Sequence, residues 1–334
     1  MRPLIIFCAL FSVLVFVDSC KKPENDISFT PKELKDPPIL TPSTNTDSSH
    51  VSTGIYKDLS TIFDLYAPAA KTVTINPSKG LEFYGNSGTK YFFPPNAYQT
   101  STGAAVTGNM QAQVTEYLTK EQMIFSGVLP YSNGDYLLSA GEVNVELTQN
   151  GQKVYFKQGQ AYQASIPLNG NKPDSMSLFV GQPTNDNRNR VNWTPAPPDT
   201  TATVRRVFSY GIDTIKLFND GMGFANCDRF WSVPKVSNST IVITGISIEN
   251  ATDIAAYQSV DGRNTVIRMV QNKNTPNISL DFSPSLASHF VVAAIVKGEF
   301  YASVLAVSPQ NNKVYTATLE KQTPEQFRAK LKAL

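Results

Sequence analysis

Much of the chain alternates apolar and polar residues with a period of two, which is the spacing of a β-strand with one buried face. Residues 72–75, 81–84 and 143–147 follow this pattern. Short polar segments rich in glycine and asparagine, such as residues 85–88 and 297–299, separate neighbouring apolar runs as hairpin turns do. The pattern therefore predicts many short strands joined by tight turns.

Three segments depart from strand alternation and predict short helices. One is residues 59–66, where apolar residues recur at helical spacing, and another is residues 120–125, expected to form a single helical turn. The third begins after Thr323, with proline at the first helical position and Gln326 in place to complete a capping box. Its apolar residues share one face, so we expect this C-terminal helix to dock on the folded body. In contrast, residues 290–296 are apolar on both faces, which predicts a central strand.

The first 57 residues lack this alternation. An apolar run of 14 residues, 4–17, follows Arg2 and ends shortly before Cys20. It is shorter than the roughly 20 residues that cross a bilayer and fits the apolar part of a signal peptide. Residues 21–57 contain five prolines among Ser, Thr, Asn and Asp and few large apolar side chains. We expect residues 1–19 to be a signal peptide and residues 20–57 a disordered tether.

The apolar run and Cys20 together resemble a bacterial lipoprotein signal. Val17 and Ser19 fit the residues that precede the lipidated cysteine in such signals, whereas Asp18 departs from that pattern. The resemblance implies a lipid (palmitate among its chains) on Cys20 that anchors the protein in the membrane. Because Lys21 rather than aspartate follows the cysteine, it also implies transfer to the outer membrane, on either its periplasmic or its outer face.

The fold class expected from these patterns is mainly β, with two β-sandwich-like domains and a short C-terminal helix. Seven or so strands at spacings of about 8–12 residues are typical of a sandwich. Gly170 and Pro173 interrupt the strand pattern, so the boundary is placed there. The first sandwich is expected at residues 58–173 and the second domain, with the helix, at residues 174–334.

Composition excludes several classes of function. The formal charge is +2 and the Lys and Arg residues are scattered, so no basic patch predicts a nucleic-acid partner. No Cys and His residues stand at metal-ligand spacing, and we expect neither a metal nor a cofactor. The histidines are His50, in the tether, and His289, which is interpreted as an ordinary strand-end residue. No Gly-x-Ser-x-Gly elbow accompanies His289, so a serine hydrolase is not expected.

One polar block, residues 226–231, is the best candidate for a ligand site. Asn226, Asp228, Arg229 and Trp231 carry hydrogen-bonding, charged and stacking groups and are predicted to frame a polar ligand between the domains. Cys227, within the block, is either a thiolate activated by the neighbouring cation or a small buried residue, and burial is favoured because no base lies nearby in sequence. Trp193 and Trp231 are expected to be partly core, with stacking on sugar rings as the alternative.

Residues 80–98 resemble the core of ZU5-type β-sandwiches, in which an apolar strand leads into a Pro-x-Ala turn. Here the turn is carried by Pro94, Pro95 and Ala97, and Gly108 opens the next long strand. Residues 126–141 and the block at 224–231 are similar to uncharacterised lipoproteins of Bacteroidota-type bacteria. Some ZU5 relatives cleave themselves at a His-Phe-Ser site, but Val291 follows His289-Phe290 here, so an uncut chain is expected.

The patterns leave the activity open among three functions. The first is a non-catalytic binding or scaffold protein of the cell envelope, with an envelope protein as partner. The second is a glycan-binding accessory lipoprotein. The third is a hydrolase that uses carboxylates, for example Glu142 or Asp228, since glycoside hydrolysis needs two carboxyl groups at a defined separation.

Overall fold

The computed structural model describes residues 56–168, 175–196, 207–210, 214–270, 275–280 and 283–334. The expected signal peptide, Cys20 and the tether up to residue 55 lie outside the described residues. The folded unit contains most of the chain, from Thr53 to Leu334. None of the helices in the described residues is long and apolar enough to cross a membrane.

Strands dominate this unit. The strands up to residue 168 are β1 (Lys71–Ile75), β2 (Leu81–Tyr84), β3 (Lys90–Phe93), β4 (Tyr98–Gln99), β5 (Met110–Tyr117), β6 (Tyr131–Ser132), β7 (Asp135–Gln149), β8 (Gln152–Lys153), β9 (Tyr155–Phe156) and β10 (Tyr162–Pro167). The later strands are β11 (Ser177–Pro183), β12 (Val191–Pro195), β13 (Val207–Tyr210), β14 (Thr214–Asn219), β15 (Gly223–Phe230), β16 (Thr240–Thr244), β17 (Ala251–Val260), β18 (Val266–Met269), β19 (Asn277–Ser279), β20 (Ser288–Val296), β21 (Glu299–Val307), β22 (Val314–Thr318) and β23 (Glu320–Lys321).

The described residues contain three short α-helices. They are α1 (Leu59–Tyr66), α2 (Lys120–Ser126) and α3 (Pro324–Lys332), with one 3₁₀ turn at Ile248–Asn250. Both α2 and α3 start with a capping box, in which Thr119 and Thr323 respectively exchange hydrogen bonds with the glutamine three residues on. The mainly β fold class with a short C-terminal helix is therefore confirmed.

The first sandwich packs two sheets around one core. One sheet has the strand order β1-β5-β7-β15-β11-β12, with β6 and β8 also paired to β7, and the other has the order β13-β14-β10-β3-β2. Side chains of both sheets, including Phe93, Val145, Tyr162 and Ala225, fill the space between them, which we call the first core. The boundary expected at residue 173 falls inside this arrangement, because β11 and β15 complete the sheet that β7 begins.

The second sandwich is smaller. The sheet β18-β17-β20-β21-β23 packs on the sheet β19-β16-β22, with Ile241, Phe290 and Val292 between them. The helices α1, α2 and α3 cover the opposite face of the larger sheet through Phe63, Phe125 and other buried residues. Strand β20 lies between β17 and β21 and is buried on both faces, so the prediction of a central strand is confirmed.

Candidate functional site

An irregularity in the pairing of β7 with β15 creates the most unusual site in the described residues. Asn226 lies opposite Glu142, and Asp228 lies opposite Ser139. Between these two pairs β7 has two residues where β15 has one. Such a β-bulge re-aims side chains and here leaves Ser139 and Glu142 on the same face of the sheet. Gly141 sits in the bulge with φ of 140°, a conformation that favours glycine.

Four polar side chains meet at the bulge and are almost completely enclosed. Ser139 is 4 % exposed, and Glu142, Asn226 and Asp228 are 0 % exposed. The Ser139 hydroxyl donates to Asn226 Oδ1 at 3.1 Å, and Asn226 Nδ2 donates to Asp228 Oδ2 at 2.5 Å. Both carboxyl oxygens of Glu142 and Oδ1 of Asp228 lack a hydrogen-bond partner. We call these four residues the bulge cluster.

The electrostatics of the bulge cluster follow from its enclosure. Burial raises the pKa of Glu142 well above its ordinary value, the charge of Asp228 raises it further, and the Asn226 amide opposes the shift. Burial likewise raises the pKa of Asp228, and the nearby Ser139 hydroxyl and the Asn226 amide oppose the shift. Two enclosed carboxyl groups beside one amide repel each other when both are ionised, so this site disfavours full ionisation of the pair.

Ser139 connects the bulge cluster to a cleft of about 320 Å³. The walls of this cleft are the β7 bulge, the start of α2, the end of α3, Leu168 and the loop at residues 262–264. The main-chain nitrogen of Ser139 donates to the oxygen of Asn264 at 3.2 Å, and the hydroxyl of Thr265 donates to the oxygen of Leu137 at 2.8 Å. These bonds fix the loop of the second sandwich against the first, so the cleft lies where the two sandwiches meet.

The cleft carries an excess of positive charge. Lys120, Arg263 and Lys332 line it, and Glu121 is the single acidic residue among the described lining residues. Glu121 already accepts a hydrogen bond from the guanidinium of Arg328 at 2.6 Å. Lys120 is largely enclosed, and this burial lowers its pKa although the charge of Asp261 opposes the shift. Its ammonium group donates to the main-chain oxygen of Leu334 at 3.0 Å.

The residues predicted to frame one site divide between two faces of the sheet. Asn226 and Asp228 belong to the bulge cluster, whereas Arg229 is paired with Leu138 of the first core and therefore faces the other side. The Nε of Arg229 is buried without a hydrogen-bond partner. Trp231 packs, partly buried, against the first core. The polar side chains of residues 226–231 therefore do not come together in one site.

The remaining candidates take structural positions. Cys227 is buried in the first core, and burial raises the pKa of its thiol, so the interpretation as a small buried residue is confirmed. Trp193 is fully buried, and its indole nitrogen donates to the oxygen of Leu129 at 2.9 Å. His289 lies within β20, and its Nδ1 is 2.8 Å from Oδ1 of Asp261. The described residues contain no group of three or more His, Cys, Asp and Glu placed to hold a metal ion.

Sequence reasoning missed Ser139 and the three cations of the cleft. The sequence offers Glu142 as a carboxylate but does not show which groups lie next to it. Lys120, Arg263 and Lys332 come from a helix start, a loop and a helix end that are far apart in sequence. No local pattern joins them, since their proximity depends on how the two sandwiches pack. The glycine at 141 beside Glu142 was the one signal of a bulge.

Comparison with known proteins identifies no family for this chain. No protein-family model matches the chain, and no curated protein is similar to it in sequence. The resemblance to ZU5-type sandwiches and to envelope lipoproteins therefore stays a prediction from the residues quoted above.

Proposed function

We propose that the protein is a non-catalytic binding protein of the cell envelope that holds a small anionic ligand in the cleft between its two sandwiches. The observation that carries this proposal is the charge of the cleft. Three cationic side chains line it. Lys120 already donates to Leu334, which leaves Arg263 and Lys332 to face a ligand, and the acidic side chain of Glu121 is engaged by Arg328. Small-molecule sites are concave and mostly apolar with a few directed polar groups, and about 300 Å³ is the lower end of their size.

The contact between Lys120 and Leu334 indicates what the cleft accepts. The ammonium group of Lys120 donates a hydrogen bond to the main-chain oxygen of Leu334, and Leu331 and Leu334 line the same space. An oxygen acceptor next to a branched apolar group therefore matches the surface. A carboxylate attached to an aliphatic residue has this chemistry, and charge-assisted hydrogen bonds to Lys and Arg favour a carboxylate over a neutral amide.

The same geometry favours binding over hydrolysis by the carboxylates. A general acid or a nucleophile must touch the substrate, within about 3 Å. Glu142 and Asp228 are 0 % exposed, and Ser139 stands between them and the cleft. Their enclosure supports a structural or ion-binding role for the pair instead.

Attachment to the envelope completes the proposal. A diacylglyceryl group on Cys20 would hold the chain at the outer membrane, because two or more acyl chains give stable anchoring. The tether that follows would carry the sandwiches away from the bilayer surface. This part of the proposal rests on the sequence at residues 1–57.

Glycan binding is a second candidate, favoured by aromatic side chains at and beside the β6–β7 pair. The rings of Tyr131 and Tyr136 are 6.3 Å apart on paired strands, and the main-chain nitrogen of Trp231 donates to the oxygen of Tyr136 at 3.0 Å. All three side chains are partly exposed. Aromatic faces stack on sugar rings, so a glycan array with the wild type and Trp231→Ala tests this candidate; equal or absent signal in both proteins rejects it.

The experiment that tests the cleft uses a matched pair of probes. N-acetyl-alanyl-leucine carries a carboxylate, and its C-terminal amide is the neutral counterpart of nearly the same shape. Calorimetric titration of the full-length chain in detergent compares the two affinities. Tighter binding of the acid supports the proposal, and equal or absent binding of both contradicts it.

A further inference from the structure

Four buried oxygens on one face of the β7–β15 pair accept no hydrogen bond. They are both carboxyl oxygens of Glu142, Oδ1 of Asp228 and Oδ1 of Asn144, which follows Glu142 by two residues on the same face. Buried polar atoms are nearly always paired, and an unpaired one points to a missing water, proton or ion. The three that belong to Glu142 and Asp228 lie at the bulge, and because they are acceptors a donor or a cation would satisfy them.

The charges of the bulge cluster are also uncompensated. Among the described residues, no Lys or Arg side chain forms an ion pair with Glu142 or Asp228. The partners that act on these two carboxyl groups are the neutral side chains of Asn226 and Ser139. An enclosed carboxylate is costly unless it is paired, protonated or bound to a metal. Two carboxylates balance the charge of one divalent cation.

The chemistry of the donors decides which cation fits. Each side chain of the bulge cluster offers oxygen as a metal ligand, from two carboxylates, an amide and a hydroxyl, and the thiol of Cys227 lies on the opposite face in the first core. Calcium takes six to eight oxygen ligands in flexible geometry, whereas soft thiolate or imidazole sites select transition metals.

We propose that the bulge cluster is a calcium site, in which Glu142 and Asp228 bind the ion directly and the oxygens of Ser139 and Asn226 surround it. Ser139 belongs both to the bulge cluster and to the lining of the cleft. A bound ion would fix β7 to β15 at the bulge and so hold the wall of the cleft in place. Calcium binding at this site does not require a ligand in the cleft.

The test measures the melting temperature of the full-length chain in detergent at pH 8, first freed of metal with a chelator and then titrated with calcium chloride. We expect a rise of about 5 °C at saturating calcium, since a ligand at about 100 times its Kd stabilises by about 2.7 kcal/mol. Glu142→Gln keeps the shape and removes the charge, and it should abolish the rise. Glu146→Gln, an exposed residue on the same strand, should keep it.

An equal response of the wild type and Glu142→Gln, or a wild type that does not respond, overturns the proposal. Should Glu142→Gln fail to fold, Asp228→Asn replaces it. Equilibrium dialysis of the wild type against labelled calcium gives a result that needs no variant. One ion bound per chain is expected, and none bound at millimolar calcium overturns the site. Titration with magnesium under the same conditions should give a smaller rise, because magnesium demands stricter geometry.

Discussion

Asn226 lies directly opposite Glu142 in the pairing of β15 with β7, and its amide donates to the carboxyl group of Asp228. One amide therefore stands between two carboxyl groups that the fold encloses completely. A bulge of one residue in β7 produces this arrangement. The carboxyl groups of Glu142 and Asp228 therefore lie behind the wall of a cleft whose charged side chains are mainly cationic.

The metal-free protein should lose stability as the pH rises. Burial raises the pKa of Glu142 and Asp228 in the folded state, so their contribution is fully present below the ordinary carboxyl pKa of about 4 and is lost as the pH rises through the raised values. The facing Tyr117 of β5 has its pKa raised to about 12 and stays neutral. Melting temperatures in chelator between pH 5 and pH 8 measure the loss.

Glu142→Gln removes one of the two titrating groups and should flatten this pH dependence. Each kcal/mol regained at pH 8 should raise the melting temperature by about 2–4 °C. Glu146→Gln is the control, because Glu146 is exposed on the same strand and should leave the profile unchanged. Parallel profiles of the wild type and Glu142→Gln would show that the pair does not titrate in this range.

Gly141→Ala should destabilise the bulge. A Cβ at this position would lie 2.7 Å from Cγ2 of Ile166, and the backbone has φ of 140°, which alanine rarely adopts. We expect a loss of roughly 2–4 kcal/mol in the free energy of unfolding, from strain and overpacking together. Gly151→Ala is the matched control, since its φ is also positive but no atom lies within 4 Å of the new Cβ. Urea unfolding of both variants should show a clearly larger loss for Gly141→Ala.

Cys20→Ser should release the protein from membranes. If Cys20 carries the lipid, its replacement removes the acyl chains that hold the chain at the bilayer. Labelling of cells with a palmitate analogue, followed by membrane fractionation, checks both consequences, and Cys227→Ser is the control because that thiol is buried. Undiminished label on Cys20→Ser would contradict the lipoprotein assignment.

The sequence predicted local features better than long-range ones. The hairpin at residues 297–298 formed as expected because both residues adopt positive φ, at 52° and 81°, as a two-residue hairpin turn requires. The C-terminal helix formed as its capping residues indicated, and Phe327 is buried where α3 docks. These outcomes depend on interactions between residues that are close in sequence, so a local sequence pattern can predict them.

Strand partners and the cleft depend on residues that are distant in sequence. Nothing near residue 177 shows that β11 joins β15 rather than a strand of the second sandwich, because an extended segment with alternating residues fits either sheet edge. The bulge is set by register across β7 and β15, and the cleft by the docking of two sandwiches. Asn226 and Asp228 were therefore recognisable as polar candidates in one block, but their pairing with Glu142 and Ser139 was not.

Binding in the cleft should depend on Lys332. This side chain lines the cleft from the end of α3, so Lys332→Ala should weaken binding of N-acetyl-alanyl-leucine about 3- to 10-fold, which is the effect of roughly 1 kcal/mol from one partly solvated charge. Lys330→Ala is the control, because Lys330 belongs to the same helix but does not line the cleft. Equal loss in both variants would indicate a general effect of charge rather than contact.

The comparison of the acid with its amide tests the central claim most directly. Calorimetric titration of the wild type with N-acetyl-alanyl-leucine and with its C-terminal amide measures the two dissociation constants under one set of conditions. The charge of the cleft predicts that the acid binds at least about 10-fold more tightly, since each factor of 10 corresponds to about 1.4 kcal/mol. Equal affinity for the two probes, or tighter binding of the amide, would contradict an anion-binding cleft.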